Sequence, residues 1–445
     1  MRRLLVLVVL VAGCGGSKVA APVNPRATAA PTATPVLTGA AKCGEATCST
    51  LRVPLDRARP DGEMLALKVA VEGPTDAPVF VFLSGGPGEP GVPFLARARK
   101  WLGPVAKRVR IVAVDQRGTG ADALDCPALQ REMGASDLSP PTQDAVTSCA
   151  SKVGEKRQFF TTADTVDDLE ALRVALGADK LMLDGISYGT YVAQRYALAY
   201  PQRVKALVLD SVVPAEGVSL LTLTQMQATR RVLGPERTKA LAKVVKDQGN
   251  GPELLDLLTS LSVGKPRDDG YLKAIDAASK GDDASLKRWI AGVGKYVHGW
   301  TAKQLSQGLH ASTLCADSPG PWGDAATPLE GRQKALDDAA AKLTDADLYP
   351  YDRETATKNG FALQCLYWPP VAVPKPDGPR DLPDVPTLLL NGDRDLSTPY
   401  EWAQQAVKHA PGGTLMIVKG AGHDVQDQGD RKALAAVRRL VASPG

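Results

Sequence analysis

Aromatic side chains are scarce in this 445-residue chain. Phe, Trp and Tyr make up 5% of it, which leaves little stock for the stacking platform of a single-strand nucleic-acid binder. Neither sign of charge dominates. The 53 Lys and Arg against 49 Asp and Glu give a formal net charge of +4, too slight and too dispersed for a phosphate-binding surface. Histidine is rarer still, with 4 in all, and no paired Cys-x-x-Cys accompanies it, so the ingredients of a metal site are missing. The 42 glycines and 34 prolines follow no collagen-like period. No run of apolar residues is long enough to span a bilayer, which takes roughly 20. What remains is 44% hydrophobic and 23% charged, enough for a buried core, whether a two-lobed enzyme or two separate domains, and wrong for a disordered chain.

Met1-Arg2-Arg3 and the short apolar run Leu4 to Ala12 read as the basic and hydrophobic parts of an export signal. Val11-Ala12-Gly13-Cys14 resembles a bacterial lipobox. That resemblance implies a signal peptide over residues 1–13, cleavage before Cys14 and attachment of lipid to its sulfur. Residues 14–42 are rich in Ala, Pro and Thr without apolar period and read as a disordered tether. The expected location is the cell envelope, with the protein exported and lipid-anchored to a membrane on its periplasmic or cell-surface side. Without Cys14, the chain keeps Cys43, Cys48, Cys126, Cys149, Cys315 and Cys365, an even set that suits disulfides in an oxidising compartment. Six cysteines allow 15 pairings. Order and spacing favour Cys43–Cys48, Cys126–Cys149 and Cys315–Cys365.

Residues 51–56 and 64–73 alternate apolar with polar around Arg59-Pro60-Asp61-Gly62 and predict an edge hairpin. Short unbroken apolar runs follow at 79–83, 111–115, 181–184, 206–210, 387–390 and 414–418. Such runs suit parallel strands buried on both faces. Helical patterns lie between them: 166–176, with Thr165 as expected N-cap and Gly177 as stop, and 188–200, ending before Pro201. The alternation predicts an α/β class with a mostly parallel sheet and helices on both faces. From about 214 to 376 the strand rhythm stops and an Ala-, Leu-, Lys- and Asp-rich helical pattern takes over. The expected organisation is a core over 43–214 and 377–445, with a helical lid over 215–376 above the sheet's carboxyl edge, where ligands bind in such folds.

Gly185-Ile186-Ser187-Tyr188-Gly189 matches the G-x-S-x-G nucleophile elbow. It follows a strand run and opens a helix, the setting this motif requires. A serine hydroxyl needs a base to take its proton, and the base needs an orienting acid. His298 and His310 fall in the insertion and His409 in an expected helix over 400–409, whereas His423 sits in a Gly-Ala-Gly-His loop after the last strand. The chain order serine, acid, histidine makes His423 the candidate base. Asp393 and Asp395 compete as the acid. Tyr188, directly after the nucleophile, is expected to give one oxyanion N–H, and Gly86 or Gly85 in Ser84-Gly85-Gly86-Pro87-Gly88 the other. A phosphate loop is excluded there because no Gly-Lys-Ser/Thr completes it.

Together these residues resemble the proline iminopeptidase and tripeptidyl aminopeptidase group of α/β-hydrolases, in its exported branch. The resemblance rests on Gly-Gly-Pro-Gly at 85–88, Asp115-Gln116-Arg117-Gly118-Thr119-Gly120, Ser187-Tyr188-Gly189-Thr190, Leu209-Asp210, Cys315-Ala316-Asp317, Cys365-x-x-Trp368-Pro369 and the Asp395 and His423 loops. Gly392-x-x-Asp395-x-x-Thr398-Pro399 is similar to the acid loop of that family and selects Asp395 over Asp393. The resemblance implies a serine peptidase that cuts near a peptide's amino terminus through an acyl-enzyme, with no metal or organic cofactor and no nucleic-acid partner. It also implies a lid acid that binds the substrate's free amine; Asp317 and Glu216 are candidates by position only. The same machinery would serve an esterase or amidase acting on small non-peptide substrates.

Overall fold

The computed structural model describes residues 34–263, 269–373 and 381–443. The export signal, Cys14 and the start of the tether lie outside the described residues. Nine strands form one sheet: β1 (Leu37–Cys43), β2 (Ala46–Pro54), β3 (Met64–Glu72), β4 (Val79–Leu83), β5 (Arg110–Val114), β6 (Leu181–Ile186), β7 (Val204–Asp210), β8 (Thr387–Gly392) and β9 (Gly413–Val418). Their spatial order is β1-β2-β3-β5-β4-β6-β7-β8-β9. The pairings from β1 to β5 across β2 and β3 are antiparallel, and every later pairing is parallel. β4, β6 and β8 are buried along their whole length, which is why they read as unbroken apolar runs.

Helices cover both faces. Thr162–Ala175, Tyr188–Ala199 and Tyr400–Ala406 pack their apolar residues on one face, and Leu95–Leu102 and Arg431–Ala442 on the other. The helix expected from 166 begins earlier. Thr161 accepts from Asp164 N–H while the Asp164 carboxylate takes the Thr161 N–H, a capping box whose aspartate stands where glutamate or glutamine is usual. Thr165 instead donates back to the Thr161 carbonyl. His409 closes a short 3-10 turn, Val407–His409, after the helix expected to contain it. β1 takes up the end of the stretch read as a tether and runs one residue past it. Its residues are mostly exposed, so hydrophobic patterning gave no sign of it, and the Cys43–Cys48 disulfide closes its turn into β2.

Between β7 and β8 the described residues are helical, from Leu223–Gln248 to Gly360–Tyr367. Their apolar core is shared with Pro127–Met133 and Gln143–Val153, two helices that come from the segment after β5. The helical segment between β7 and β8 thus shares one core with a second stretch of chain. Cys126–Cys149 and Cys315–Cys365 pin these pieces, and both pairings are those expected from spacing. Three disulfides suit an oxidising compartment. No helix among the described residues is long and apolar enough to cross a membrane.

One buried carboxyl in the sheet makes the fold's stability depend on pH. Asp184 on β6 accepts from Gln426 Nε2 at 2.9 Å. Burial pushes its pKa up to about 8, with the Gln426 hydrogen bond opposing and the charge of Asp210 adding. Because the folded value lies above the unfolded one, the native state holds a proton that the unfolded chain gives up. The resulting stability is complete below about pH 4 and is lost as pH rises towards 8. Asp184→Asn keeps a neutral acceptor at this position, and we expect it to melt at least about 3 °C above the parent at pH 9 but not at pH 4.5. Thermal melts at the two values check this; parallel pH slopes for both proteins would refute it.

Candidate active site

The parallel strands all end at one edge, so the loops after β4, β6, β8 and β9 converge there. Ser187 follows β6 and sits at φ 55°, ψ −123°, a strained conformation for a residue with a side chain. Its N–H donates to the Asp210 carbonyl at 2.9 Å. The two motif glycines are obligatory for steric reasons. A Cβ on Gly185 would lie 2.3 Å from the Gly189 carbonyl oxygen, and one on Gly189 would lie 2.2 Å from that of Leu83. Only bare backbone lets strand, turn and helix pass this closely. Thr190 Oγ1 donates to the Ser187 carbonyl at 2.6 Å and tightens the same turn.

The acid loop after β8 separates the two rival aspartates. Asp395 is fully buried, and its Oδ2 accepts from His423 Nδ1 at 3.0 Å and from Thr398 Oγ1 at 2.8 Å. Its Oδ1 accepts the N–H groups of Ser397 and Thr398, each at 2.9 Å. Asp393 turns away and accepts from Gly420 N–H at 2.7 Å, stapling the acid loop to the histidine loop. With Nδ1 donating to Asp395, His423 keeps Nε2 as the nitrogen free to act as base.

The histidine loop is held from below and above. Asp210, at the end of β7, accepts from Val425 N–H at 3.0 Å and Gln426 N–H at 2.8 Å. From the lid, the Ser262 carbonyl accepts His423 N–H at 2.8 Å while Ser262 Oγ accepts Leu396 N–H at 3.1 Å. One lid residue therefore fixes both partner loops. Burial draws the His423 pKa down, but the Asp395 carboxylate, through charge and hydrogen bond, outweighs it and lifts the value to about 9.

Ser187 and Gly86 lie between two spaces. The larger is a cavity of about 800 Å³ that also takes in Glu89, His423, Trp289 and Tyr296. The smaller is a pocket of about 60 Å³ walled by Tyr188, Tyr191, Phe361 and Trp402, with Asp317 among its lining. Asp317 Oδ2 accepts from Thr162 N–H at 3.0 Å. Burial raises its pKa to about 6, against hydrogen bonds from Thr162 that lower it. Of the two lid acids named from sequence, Asp317 thus reaches the site. Glu216 lines neither space, although the next residues, Gly217 and Val218, line the smaller one; its carboxylate stands 3.9 Å from His409.

Tyr188 is the first residue of its helix, so its N–H has no acceptor within that helix. Gly86 adopts φ 102°, and a Cβ there would lie 2.5 Å from Gly88 N, so this turn requires glycine. Burial pushes the Glu89 carboxyl up to about 7, against the His423 charge and a hydrogen bond from Gly85 N–H that lower it; with the Gly85 N–H engaged there, Gly86 is left as the loop's oxyanion candidate. Asp115 and Arg117 of the Asp-Gln-Arg-Gly motif are structural. Asp115 accepts from Val92 N–H at 2.8 Å, and buried Arg117 makes a two-pronged bond to Asp168 with both distances 2.7 Å. No cluster of metal-ligating side chains occurs among the described residues.

Residues 78–430 match the family model for the alpha/beta hydrolase fold. The chain belongs to that family, and it is a serine hydrolase. It is 27% identical over 442 residues to the serine protease Hip1 of Mycobacterium tuberculosis, covering 87% of this chain and 83% of the relative. It is also 27% identical over 428 residues to the tripeptidyl aminopeptidase of Streptomyces lividans, covering 84% and 77% respectively. A proline iminopeptidase of Neisseria meningitidis is 28% identical over 178 residues, 40% of this chain and 46% of that one.

Proposed function

We infer that the protein is an exported serine aminopeptidase working through an acyl-enzyme. In this reading Ser187 Oγ attacks the scissile carbonyl carbon as its proton passes to His423 Nε2, and Asp395 holds the imidazole and supports its charge. The N–H groups of Gly86 and Tyr188 receive the oxyanion. Collapse breaks the C–N bond, with the His423 proton going to the departing nitrogen. Water then repeats the sequence to free Ser187.

The observation that carries the aminopeptidase reading is the small aromatic pocket beside Ser187, whose lining includes the half-buried Asp317 carboxyl. A substrate ammonium placed there would find a negative partner in a space too small for a long chain. The lid over 215–376 closes this pocket, and core segments over 43–214 and 377–445 carry the reacting groups. Lipidation at Cys14, with a tether over 14–42, would hold the enzyme at a membrane. Support for the peptidase reading also comes from the relatives' names, serine protease and tripeptidyl aminopeptidase.

The test is a set of peptides offered with free and acetylated amino termini beside simple aryl esters, with products identified by mass. Losing the ammonium partner of a buried carboxylate costs about 2 kcal/mol or more, so acetylation is expected to lower kcat/KM by about 30-fold or more. Equal turnover of free and blocked peptides, with esters preferred, would favour the small-ester reading instead.

A further inference from the structure

Glu89 closes the Gly-Gly-Pro-Gly turn, and sequence reading gave it no role. Its backbone is fixed, since its carbonyl accepts from Ser84 Oγ at 2.8 Å. Its side chain turns inward. A Cβ built on Gly85 would lie 3.2 Å from Glu89 Oε2 and 3.3 Å from Ser187 Cβ, so carboxylate and nucleophile flank a single bare glycine. Arg97 lines the same cavity but stands against Asp427, at 3.9 Å.

The two spaces around Ser187 differ in which reacting groups they contain. His423 and Glu89 line the large cavity and do not line the small pocket. The imidazole must hand its proton to the leaving group, so the leaving group lies in the space that His423 faces. The acyl part is then left to the small pocket. Glu89 therefore lines the space assigned to the leaving group. Resting on the serine aminopeptidase reading, we propose that the Glu89 carboxylate accepts a hydrogen bond from the N–H of the scissile amide as that nitrogen departs, making it a determinant of amide over ester cleavage.

The chemistry is specific to amides. As the tetrahedral intermediate collapses, the nitrogen lone pair must point at the His423 proton, which turns the N–H away from it. An acceptor on that side fixes the nitrogen in the productive arrangement. No proton moves to Glu89: the C–N bond breaks, its electron pair stays on nitrogen, and the proton comes from His423. An ester oxygen carries no hydrogen, so it gains nothing from this acceptor. His423, Asp137 and Arg97 line the same cavity as Glu89, and it is Glu89 whose Oε2 lies against Gly85.

The test compares an aminoacyl anilide with an aryl ester of the same aminoacyl group, using full-length enzyme carrying Glu89→Ala and Glu89→Gln. A hydrogen bond to a charged group is worth about 1.5–3 kcal/mol, so Glu89→Ala is expected to lower kcat/KM for the anilide by about 10- to 100-fold. The ester should fall by no more than about threefold. Glu89→Gln, which keeps an acceptor oxygen, should recover part of the anilide rate. The rate of fluorophosphonate labelling reports whether the oxyanion loop survives the change. Equal losses for anilide and ester, or no loss for either, would overturn the proposal. Failure of the serine reading itself would look different: undiminished turnover by Ser187→Ala, whatever the Glu89 variants do.

Discussion

Ser187→Ala is expected to lower kcat/KM for an unblocked aminoacyl or peptidyl anilide by about a millionfold, with KM changed little. The magnitude follows from other serine hydrolases, where loss of the nucleophile costs about 2 × 10⁶ in kcat and a residual rate survives from oxyanion stabilisation and binding. The fold should tolerate the change. Ser187 already holds its backbone at φ 55°, and the constraints that impose this angle come from Gly185, Gly189 and the Asp210 carbonyl rather than from its hydroxyl. Circular dichroism and melting temperature should therefore match the parent while the active-site titre falls to zero. Turnover within tenfold of the parent would remove Ser187 from the mechanism.

Asp395→Asn is expected to cost about 10⁴-fold in kcat while leaving the site's shape intact. The carboxylate receives four hydrogen bonds, from Ser397 N–H, Thr398 N–H, Thr398 Oγ1 and His423 Nδ1. An asparagine can orient its amide to satisfy the loop donors only by turning an NH₂ towards His423, which favours the wrong tautomer. The pH profile should change with it. With the His423 pKa at about 9, only about 1% of the imidazole is neutral at pH 7, so parent kcat/KM should climb from pH 7 to 9. Burial acts to lower this pKa and Asp395 is the largest influence raising it, so removing the carboxylate should move the rising limb to lower pH. Log kcat/KM against pH for both proteins checks this. A parent profile already flat at pH 6, or a limb that stays in place in the variant, would refute it.

The legible parts of this chain were those where one short-range rule dominates. Strands buried on both faces showed as unbroken apolar runs, and the elbow showed because sterics admit only glycine at 185 and 189. Spacing sufficed for the disulfides because close pairs in sequence were also close in the fold. Long-range arrangements were hidden. Nothing local distinguishes Asp317, which lines the pocket, from Glu216, which does not and stands by His409; the difference comes from how the helices between β7 and β8 pack. Likewise, helices 127–133 and 143–153 follow β5 in sequence yet share the lid's core, a partnership only tertiary packing defines. Thr398 and Asp210 were visible as parts of family-like segments, but their bonds to Asp395 and to the histidine loop depend on loops brought together from β7, β8 and β9. Glu89 left no signal because a lone glutamate after a glycine turn reads as a solvated charge.

The account stands on Ser187 being an activated nucleophile, and covalent labelling measures that directly. Folded protein treated with a fluorophosphonate, digested and analysed by mass should carry one adduct, on the peptide containing Ser187, and His423→Ala should abolish it. No adduct on folded protein, or an adduct on a different serine, would contradict the account.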